Sequence, residues 1–185
     1  MTGLLSPSDV IAFWKEAGPK LWYAKDDAFD HQCRTTLADG HWAAARRALD
    51  GWMATAEGAL GLMILLDQYP RNSFRETGHA FATDGLALMF AKQAVARGYL
   101  DAVDPEMRQF FLTPYEHSER LADHDELRDL LDGGLGAEIP DVDRFAVIHR
   151  DIIVKFGRFP HRNRALGRET TAEEQAFLDE GGFAG

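Results

Sequence analysis

The sequence lacks the marks of a secreted, disulfide-bonded or membrane-spanning protein. It contains one cysteine, Cys33, which excludes an intramolecular disulfide and a zinc site built from cysteines. Its longest apolar run, residues 59–66, is far shorter than the roughly 20 residues that a membrane helix needs. Residues 1–10 show no basic segment followed by a long apolar core, so we expect no signal peptide. This pattern suits the reducing cytoplasm.

Basic runs and nucleotide-binding motifs are also absent. The formal net charge is −10 and no five consecutive residues are basic, so we expect binding neither to nucleic acid nor to membranes. A phosphate-binding glycine loop, a serine-nucleophile motif and the His-Glu-x-x-His zinc motif are missing. The glycines of residues 133–136 follow no strand, so we reject a dinucleotide loop there. We therefore predict no cofactor and no metal.

Helix signals dominate what the sequence does contain, and 45% hydrophobic residues suffice for a core. Apolar residues recur at helical spacing, and no convincing strand alternation is found. The predicted fold is a single all-α domain of residues 1–185 with eight or nine helices and short connections. The predicted helices cover residues 7–17, 27–38, 41–49, 56–69, 78–97, a short stretch from 105, 113–131, 142–156 and a short stretch from 170.

Glycine and proline set most of the predicted helix ends. Gly40 is expected to end the second helix, Pro70 the fourth, and Gly157 the eighth through a left-handed turn. Residues 113–116 and 170–173 read as capping boxes, in which a threonine and a glutamate satisfy free N–H groups. The apolar helix before Pro70 is expected at the centre of the core.

The segment of residues 156–163 concentrates polar groups directly after a predicted helix. Its cations form a series that only Asp151 opposes in the neighbouring sequence: Arg150, Lys155, Arg158, Arg162, Arg164 and Arg168. We expect a local cationic patch that suits a small anion better than a polymer. The alternative is that these side chains cap the helix end by bonding its free carbonyl groups.

A second polar group follows the predicted core helix, at Asp67, Arg71 and Asn72. In the functional interpretation Asp67 orients Arg71, which clamps an anion through two hydrogen bonds. In the structural interpretation, which we favour, Arg71 is part of an ion pair that ties the core helix to its neighbour. The same order of aromatic, proline, arginine and asparagine recurs at residues 159–163.

Residues 116–119, Glu-His-Ser-Glu, lie in the first turn of the predicted seventh helix. Glu116 serves there as the capping-box acid. On a helix His117 and Glu119 would not share a face, so they are not expected to bind one metal ion together. His117 and His124 would share a stripe with Leu121.

His149 lies among apolar residues of the predicted eighth helix, where a histidine is more often structural than catalytic. Convergence of His117, His149 and His161 with Glu119 would nevertheless suit acid-base chemistry or a metal site. Sequence alone does not establish that they converge.

Four ordered motifs resemble those of one bacterial family, catalogued as domain of unknown function 924. The motifs are residues 65–72, 81–84, 116–119 and 156–163, the last followed by Leu-Gly-Arg at 166–168. The resemblance extends from residue 13 to residue 178, and Tyr69 stands where phenylalanine is usual. It implies a right-handed array of antiparallel helix pairs like that of tetratricopeptide repeats, and it carries no reaction that can be transferred.

Three functions follow from these observations. The leading hypothesis is binding of a small anionic molecule or an acidic peptide in a polar pocket. The expected binding residues are Asp67, Arg71, Asn72, His149, Arg158, Arg162 and Asn163. The alternatives are an enzyme that uses His117 or His161 with Glu119, alone or with a metal, and a purely structural network in a protein-interaction scaffold. The oligomeric state cannot be predicted.

Overall fold

The structure is a computed structural model that describes residues 5–183, and these residues contain no β-strand. The all-α prediction is confirmed. The α-helical segments are α1 (Pro7–Ala17), α2 (Pro19–Trp22), α3 (Asp27–Ala45), α4 (Ala56–Met63), α5 (Tyr69–Ser73), α6 (Asp84–Ala96), α7 (Thr113–Glu116), α8 (Leu121–Leu130), α9 (Gly136–Glu138), α10 (Pro140–Phe156) and α11 (Ala172–Asp179). Two π-helical turns, Ile64–Gln68 and Leu131–Leu135, join α4 to α5 and α8 to α9, which gives nine α-helices within residues 5–183; Gly134, with φ 118°, kinks the second turn.

Short 3₁₀ turns occupy much of the remaining chain. They are Asp50–Ala54, Gly78–Phe81, Tyr99–Ala102, Pro105–Phe111 and Pro160–Arg162. The predicted fifth helix is therefore a 3₁₀ turn followed by α6, and the short sixth helix is 3₁₀ rather than α. No helix within residues 5–183 is long and apolar enough to cross a membrane.

The described chain divides into two compact units. The first unit contains residues 5–75 and 79–114, and the second contains residues 76–78 and 115–183. The expectation of a single domain stays a prediction, and each unit is described separately.

The core of the first unit surrounds α4, as its apolar sequence predicted. Leu62 and Met63 are fully buried, and α1 and α6 pack against this helix. Gly58 is required in α4 because a Cβ atom there would lie 2.1 Å from the carbonyl oxygen of Trp52. The helix therefore approaches the preceding turn more closely than any larger residue would allow.

The predicted break at Asp39-Gly40 is wrong, because α3 runs without interruption to Ala45. Gly40 is buried, and a Cβ atom on it would lie 3.1 Å from Cδ2 of Leu65. The glycine thus lets a neighbouring side chain approach the helix and does not end it.

The predicted stop at Pro70 is also wrong. The chain passes through the π turn, in which the N–H of Tyr69 donates to the carbonyl of Ile64, and continues as α5. Pro70 stands in the first turn of α5, where a missing N–H is tolerated. The wider turn therefore absorbs the proline without ending the helix.

The predicted helix of residues 113–131 is interrupted between α7 and α8. The Ser118 hydroxyl donates to Asp123 across 2.5 Å and accepts from the N–H of Arg120. This turn interrupts the helix that would have placed His117 and His124 on one stripe. His117 and Glu119 therefore do not lie on different faces of one helix. The hydroxyl of Thr113 donates to Oδ2 of Asp67 at 3.1 Å and accepts from Nε2 of Gln68 at 3.2 Å, so it faces the core.

In the second unit α10 packs against α8, and α11 packs against the turn Pro160–Arg162. Gly157 ends α10 with φ 68° and donates its N–H to the carbonyl of Ile153 at 2.8 Å, as predicted. The last capping box lies one residue later than predicted. It joins Thr171 and Glu174, and not Thr170 and Glu173.

Candidate functional site

The predicted site residues fall into two groups, one in each unit. In the first unit Asp67 is fully buried in the π turn. Its Oδ2 atom accepts from Nε2 of Gln68 at 2.6 Å and from the hydroxyl of Thr113 at 3.1 Å. These bonds satisfy a charge that burial would otherwise penalise heavily.

Arg71 is committed to two carboxylates of its own unit. Nη1 and Nη2 donate to the two oxygens of Asp84 at 3.0 Å each, and Nη1 lies 3.3 Å from Oδ1 of Asp67. Burial disfavours the charged guanidinium, but both carboxylates outweigh this effect and raise the pKa of Arg71. The geometry is that of a structural ion pair, and the guanidinium fork is already occupied.

Asn72, the third member of this group, is 3% exposed. Its Nδ2 group is buried and makes no hydrogen bond with any residue of the described chain. The structure therefore places Asn72 in the core beside the ion pair, and not on an open surface.

Side chains also satisfy the carbonyl groups of the π turn. The donor and acceptor pairs are His41 Nδ1 to Leu65 at 2.8 Å, Thr83 Oγ1 to Leu66 at 2.5 Å, and Arg71 Nη1 to Asp67 at 2.6 Å. π turns often occur at functional sites. We did not predict His41, and the only signal for Thr83 was its position in the family motif of residues 81–84.

In the second unit Glu119 lies in a carboxylate-binding arrangement. Arg168 donates to its two oxygens at 2.6 Å and 3.0 Å, and the N–H of Phe159 donates to Oε1 at 2.8 Å. Burial raises the pKa of Glu119, but these hydrogen bonds outweigh it and hold the pKa below its usual value. Arg168, which we had placed among the cations and in the family motif but not among the binding residues, is the central partner.

Glu119 makes no hydrogen bond to a histidine within residues 5–183, so it does not orient His117 or His161. Arg162 is 5% exposed, donates to the carbonyl of His117 at 3.0 Å and lies over the ring of Phe159. Its guanidinium therefore connects the segment of residues 116–119 to the segment of residues 156–163.

Arg158 and Asn163 belong to the same network as Glu119. Arg158 donates to both oxygens of Glu174 at 2.6 Å and 2.8 Å, and Nδ2 of Asn163 donates to Glu174 at 3.2 Å. Arg168 joins this network through a hydrogen bond of 2.9 Å to Oδ1 of Asn163. The hydrogen bonds from Arg158, with further ones from Thr171, lower the pKa of Glu174 to about 2.

Acids distant in sequence neutralise four of the six cations in the expected patch. The pairs are Arg158 with Glu174, Arg168 with Glu119, Arg150 with Asp125 and Lys155 with Glu173. Counting only the neighbouring sequence had hidden these carboxylates.

His149 is 5% exposed, and its Nδ1 donates to the carbonyl of Phe145 at 2.8 Å. Burial lowers its pKa to about 4, so the ring is neutral and its 3.8 Å contact with Glu116 is not an ion pair. The rings of His149 and His161 both lie near those of Phe159 and Phe183.

Within residues 5–183 no three His, Cys, Asp or Glu side chains are placed to hold a metal ion. The metal-assisted alternative therefore has no geometric support. A cleft of 410 Å³ lies elsewhere, between α8 and α10, and includes His124, Asp125, Arg128, Val147 and Arg150. None of the predicted site residues lines this cleft.

Comparison with known proteins identifies a solved relative. The chain is 48% identical to a protein of unknown function, ATU0120 from Agrobacterium tumefaciens, with a TM-score of 0.86. The match covers 95% of this chain and 97% of that one, so the two share their fold. No curated protein matches the chain. Residues 10–182 match the model of the bacterial proteins of unknown function DUF924, and the chain therefore belongs to the DUF924 family.

Proposed function

We propose that residues 115–183 bind the carboxylate of a small anionic molecule or of an acidic peptide, at the position that Glu119 occupies. The observation that carries the proposal is the set of three donors around Glu119: both arms of Arg168 and the N–H of Phe159. A planar guanidinium fork together with a backbone N–H is the arrangement that recognises carboxylates.

Partial exposure makes this position reachable by a ligand. The side chains of Arg168 and Glu119 are 23% and 27% exposed, whereas Arg162 beside them is buried. A ligand carboxylate would take the place of Glu119, and Arg162 would contribute positive potential without moving. Arg71 is excluded from this proposal because its fork is already filled by Asp84.

The wider expectations belong to the same proposal. Stacking of antiparallel helix pairs in a right-handed, tetratricopeptide-like array would suit a binding protein, although such a link rests on analogy between folds. Function in the cytoplasm, without nucleic acid or membrane as partner, also stays a prediction.

Two other functions compete with it. An acid-base enzyme built on His117 or His161 has weaker support, because Glu119 bonds to Arg168 and Phe159 instead of orienting an imidazole. A purely structural role explains the same network if Glu119 never leaves Arg168. That role predicts that His161→Ala mainly lowers stability, by about 1–3 kcal/mol.

Chemical rescue separates ligand binding from the purely structural role. Glu119→Ala removes the internal carboxylate and leaves Arg168 and the N–H of Phe159 in place. We expect its melting temperature to lie below that of the wild type and to rise with added acetate, because a ligand that binds the native state stabilises it. Acidic peptides should bind this variant more tightly than the wild type in isothermal titration.

Glu173→Ala is the matched control, since Glu173 is 71% exposed and lies 3.8 Å from Lys155. Within the described residues it has no set of donors like the one around Glu119. Acetate should stabilise this variant no more than chloride at equal ionic strength. Adding Arg168→Lys to Glu119→Ala should abolish the rescue, because an ammonium group cannot bind a carboxylate with two arms. Equal effects of acetate and chloride on Glu119→Ala would leave only the structural role.

A further inference from the structure

The π turn leaves the carbonyl group of Leu65 without a helical donor. The N–H of Tyr69 donates to Ile64, and residue 70 is a proline without an N–H. Nδ1 of His41 lies 2.8 Å from this carbonyl oxygen and supplies the missing donor. Because a carbonyl only accepts, the hydrogen of His41 is on Nδ1.

The tautomer of His41 determines that of His79. The Nε2 atoms of the two rings are 2.9 Å apart, and His41 is fully buried. With its hydrogen on Nδ1, neutral His41 presents a lone pair at Nε2, so His79 must donate through its own Nε2–H. Burial, which lowers the pKa of His41, agrees with a neutral ring there.

Neutral His79 is thereby left with a lone pair at Nδ1. No hydrogen bond to this atom is found among the described residues, and His79 itself is only partly buried. The Leu65 carbonyl and the buried His41 ring thus orient the His79 ring, whose second nitrogen is an acceptor. Orientation of one polar group by another is how binding and catalytic histidines are held.

Aromatic rings pack against the His79 ring. The ring of His79 lies 4.8 Å from that of Trp42 and 4.2 Å from that of Phe74. Trp42 is 46% exposed despite its size, whereas Trp14 and Trp22 of the same unit are buried. An exposed indole beside an oriented acceptor offers both a stacking surface and a hydrogen-bond partner.

We propose that His79 and Trp42 form a binding site for a small planar molecule that donates an O–H or N–H to Nδ1 of His79 and stacks on the Trp42 indole. An acceptor nitrogen selects a donor, and the indole face selects a flat ring. The site lies in the first unit and is independent of the carboxylate site proposed above.

Three probes dissect the two requirements on the full chain labelled with ¹⁵N at histidine and tryptophan. Phenol is planar and donates, anisole is planar and cannot donate, and cyclohexanol donates but is not flat. We expect phenol to shift the Nδ1 resonance of His79 and the indole N–H of Trp42 along one saturable curve. Its affinity should exceed that of either other probe by about tenfold, the effect of one hydrogen bond or one stacking contact.

Two variants and a control complete the test. His79→Phe keeps an aromatic ring but removes the acceptor, so phenol should lose its advantage over anisole. Trp42→Leu should abolish binding of both planar probes and serves if His79→Phe does not fold. His31→Phe, at an exposed position of the same helix as His41, should change nothing.

Some results would overturn the proposal. A His79 resonance that phenol does not shift would do so, as would equal affinities for phenol and cyclohexanol. The ring tautomers are read in the same spectra, and a hydrogen on Nδ1 of His79 would remove the acceptor altogether.

Discussion

Arg71 and Asp84 face each other through two parallel hydrogen bonds of 3.0 Å, from Nη1 to Oδ1 and from Nη2 to Oδ2. Nη1 also bonds the carbonyl of Asp67 and lies 3.3 Å from its buried carboxylate. One guanidinium therefore joins the π turn, α5 and the start of α6. The pair acts as a cross-link between helices, and its loss would remove from the buried Asp67 the cation that lies 3.3 Å away.

We expect Arg71→Ala to lower the free energy of unfolding by about 3 kcal/mol, because it leaves the fully buried Asp67 without its cation. Chemical denaturation would measure this. Arg47→Ala is the control, since Arg47 forms an exposed pair with Asp50, three residues further along the chain. If both variants lose equally little stability, the pair of Arg71 and Asp84 is not a structural cross-link.

Gly58→Ala should destabilise the first unit by about 3 kcal/mol or more, because the new Cβ atom would lie 2.1 Å from the Trp52 carbonyl oxygen and the backbone must move. Gly51→Ala places a methyl group where no atom lies within 4 Å and should leave the melting temperature nearly unchanged. Calorimetry on the two variants makes the comparison. Equal melting temperatures would mean that α4 is free to shift away from Trp52.

His149 should make stability fall as the pH falls from 6.5 to about 4. Burial lowers its pKa from 6.5 to about 4, so in this window the unfolded chain takes up a proton that the native chain does not. The stability of the wild type relative to His149→Gln should decrease across the window by at most about 3 kcal/mol. Denaturant titrations at several pH values measure it.

His31→Gln, at an exposed position, provides the control and should leave the profile unchanged. The free energies of unfolding of the wild type and of His149→Gln are compared at pH 7 and at pH 4. An equal difference at both pH values would show that the His149 ring takes up its proton in the native state.

Glu174 should change the free energy of unfolding at a lower pH than His149 does. Its pKa falls from 4.5 to about 2, chiefly through the hydrogen bonds from Arg158, so its stabilisation is complete above pH 4.5. As the pH falls from 4.5 towards 2 the unfolded chain is protonated first, and the stabilisation is lost. We expect Glu174→Gln to melt below the wild type at pH 6 and close to it near pH 2.

Glu173→Gln, at the exposed neighbouring acid, tests whether this effect is specific and should follow the wild type at every pH. A constant gap between Glu174→Gln and the wild type from pH 6 to pH 2 would mean that Arg158 does not favour the charged form of Glu174.

The predictions of helix ends were correct where neighbouring residues in the sequence determine the local structure. The left-handed turn at Gly157 and the first helix, predicted over residues 7–17, are both present. Gly40 and Pro70 misled because tertiary packing decides their role: Leu65 lies against the glycine, and the π turn accommodates the proline. A helix-breaking residue and a close-approach residue look alike in sequence.

The sequence predicted which polar residues would belong to the candidate site, but not which of them would bind one another. Glu119 and Arg168 lie 49 positions apart, and Arg158 and Glu174 lie 16 apart, so no spacing rule connects them. The charge of residues 155–168 therefore seemed unopposed in sequence, whereas in the structure acids pair with Lys155, Arg158 and Arg168. His41 was missed because the carbonyl it serves is freed only by the π turn.

The π turn also has a consequence for how the chain can change. A π turn is equivalent to one extra residue in an α-helix, and each residue advances the helix by about 100°. Deleting one codon within residues 64–68 would therefore rotate α5 by about a quarter of a revolution and carry Tyr69 and Asn72, now 1% and 3% exposed, away from the interior. The reading frame would survive, but the helix would present a different side to its neighbours.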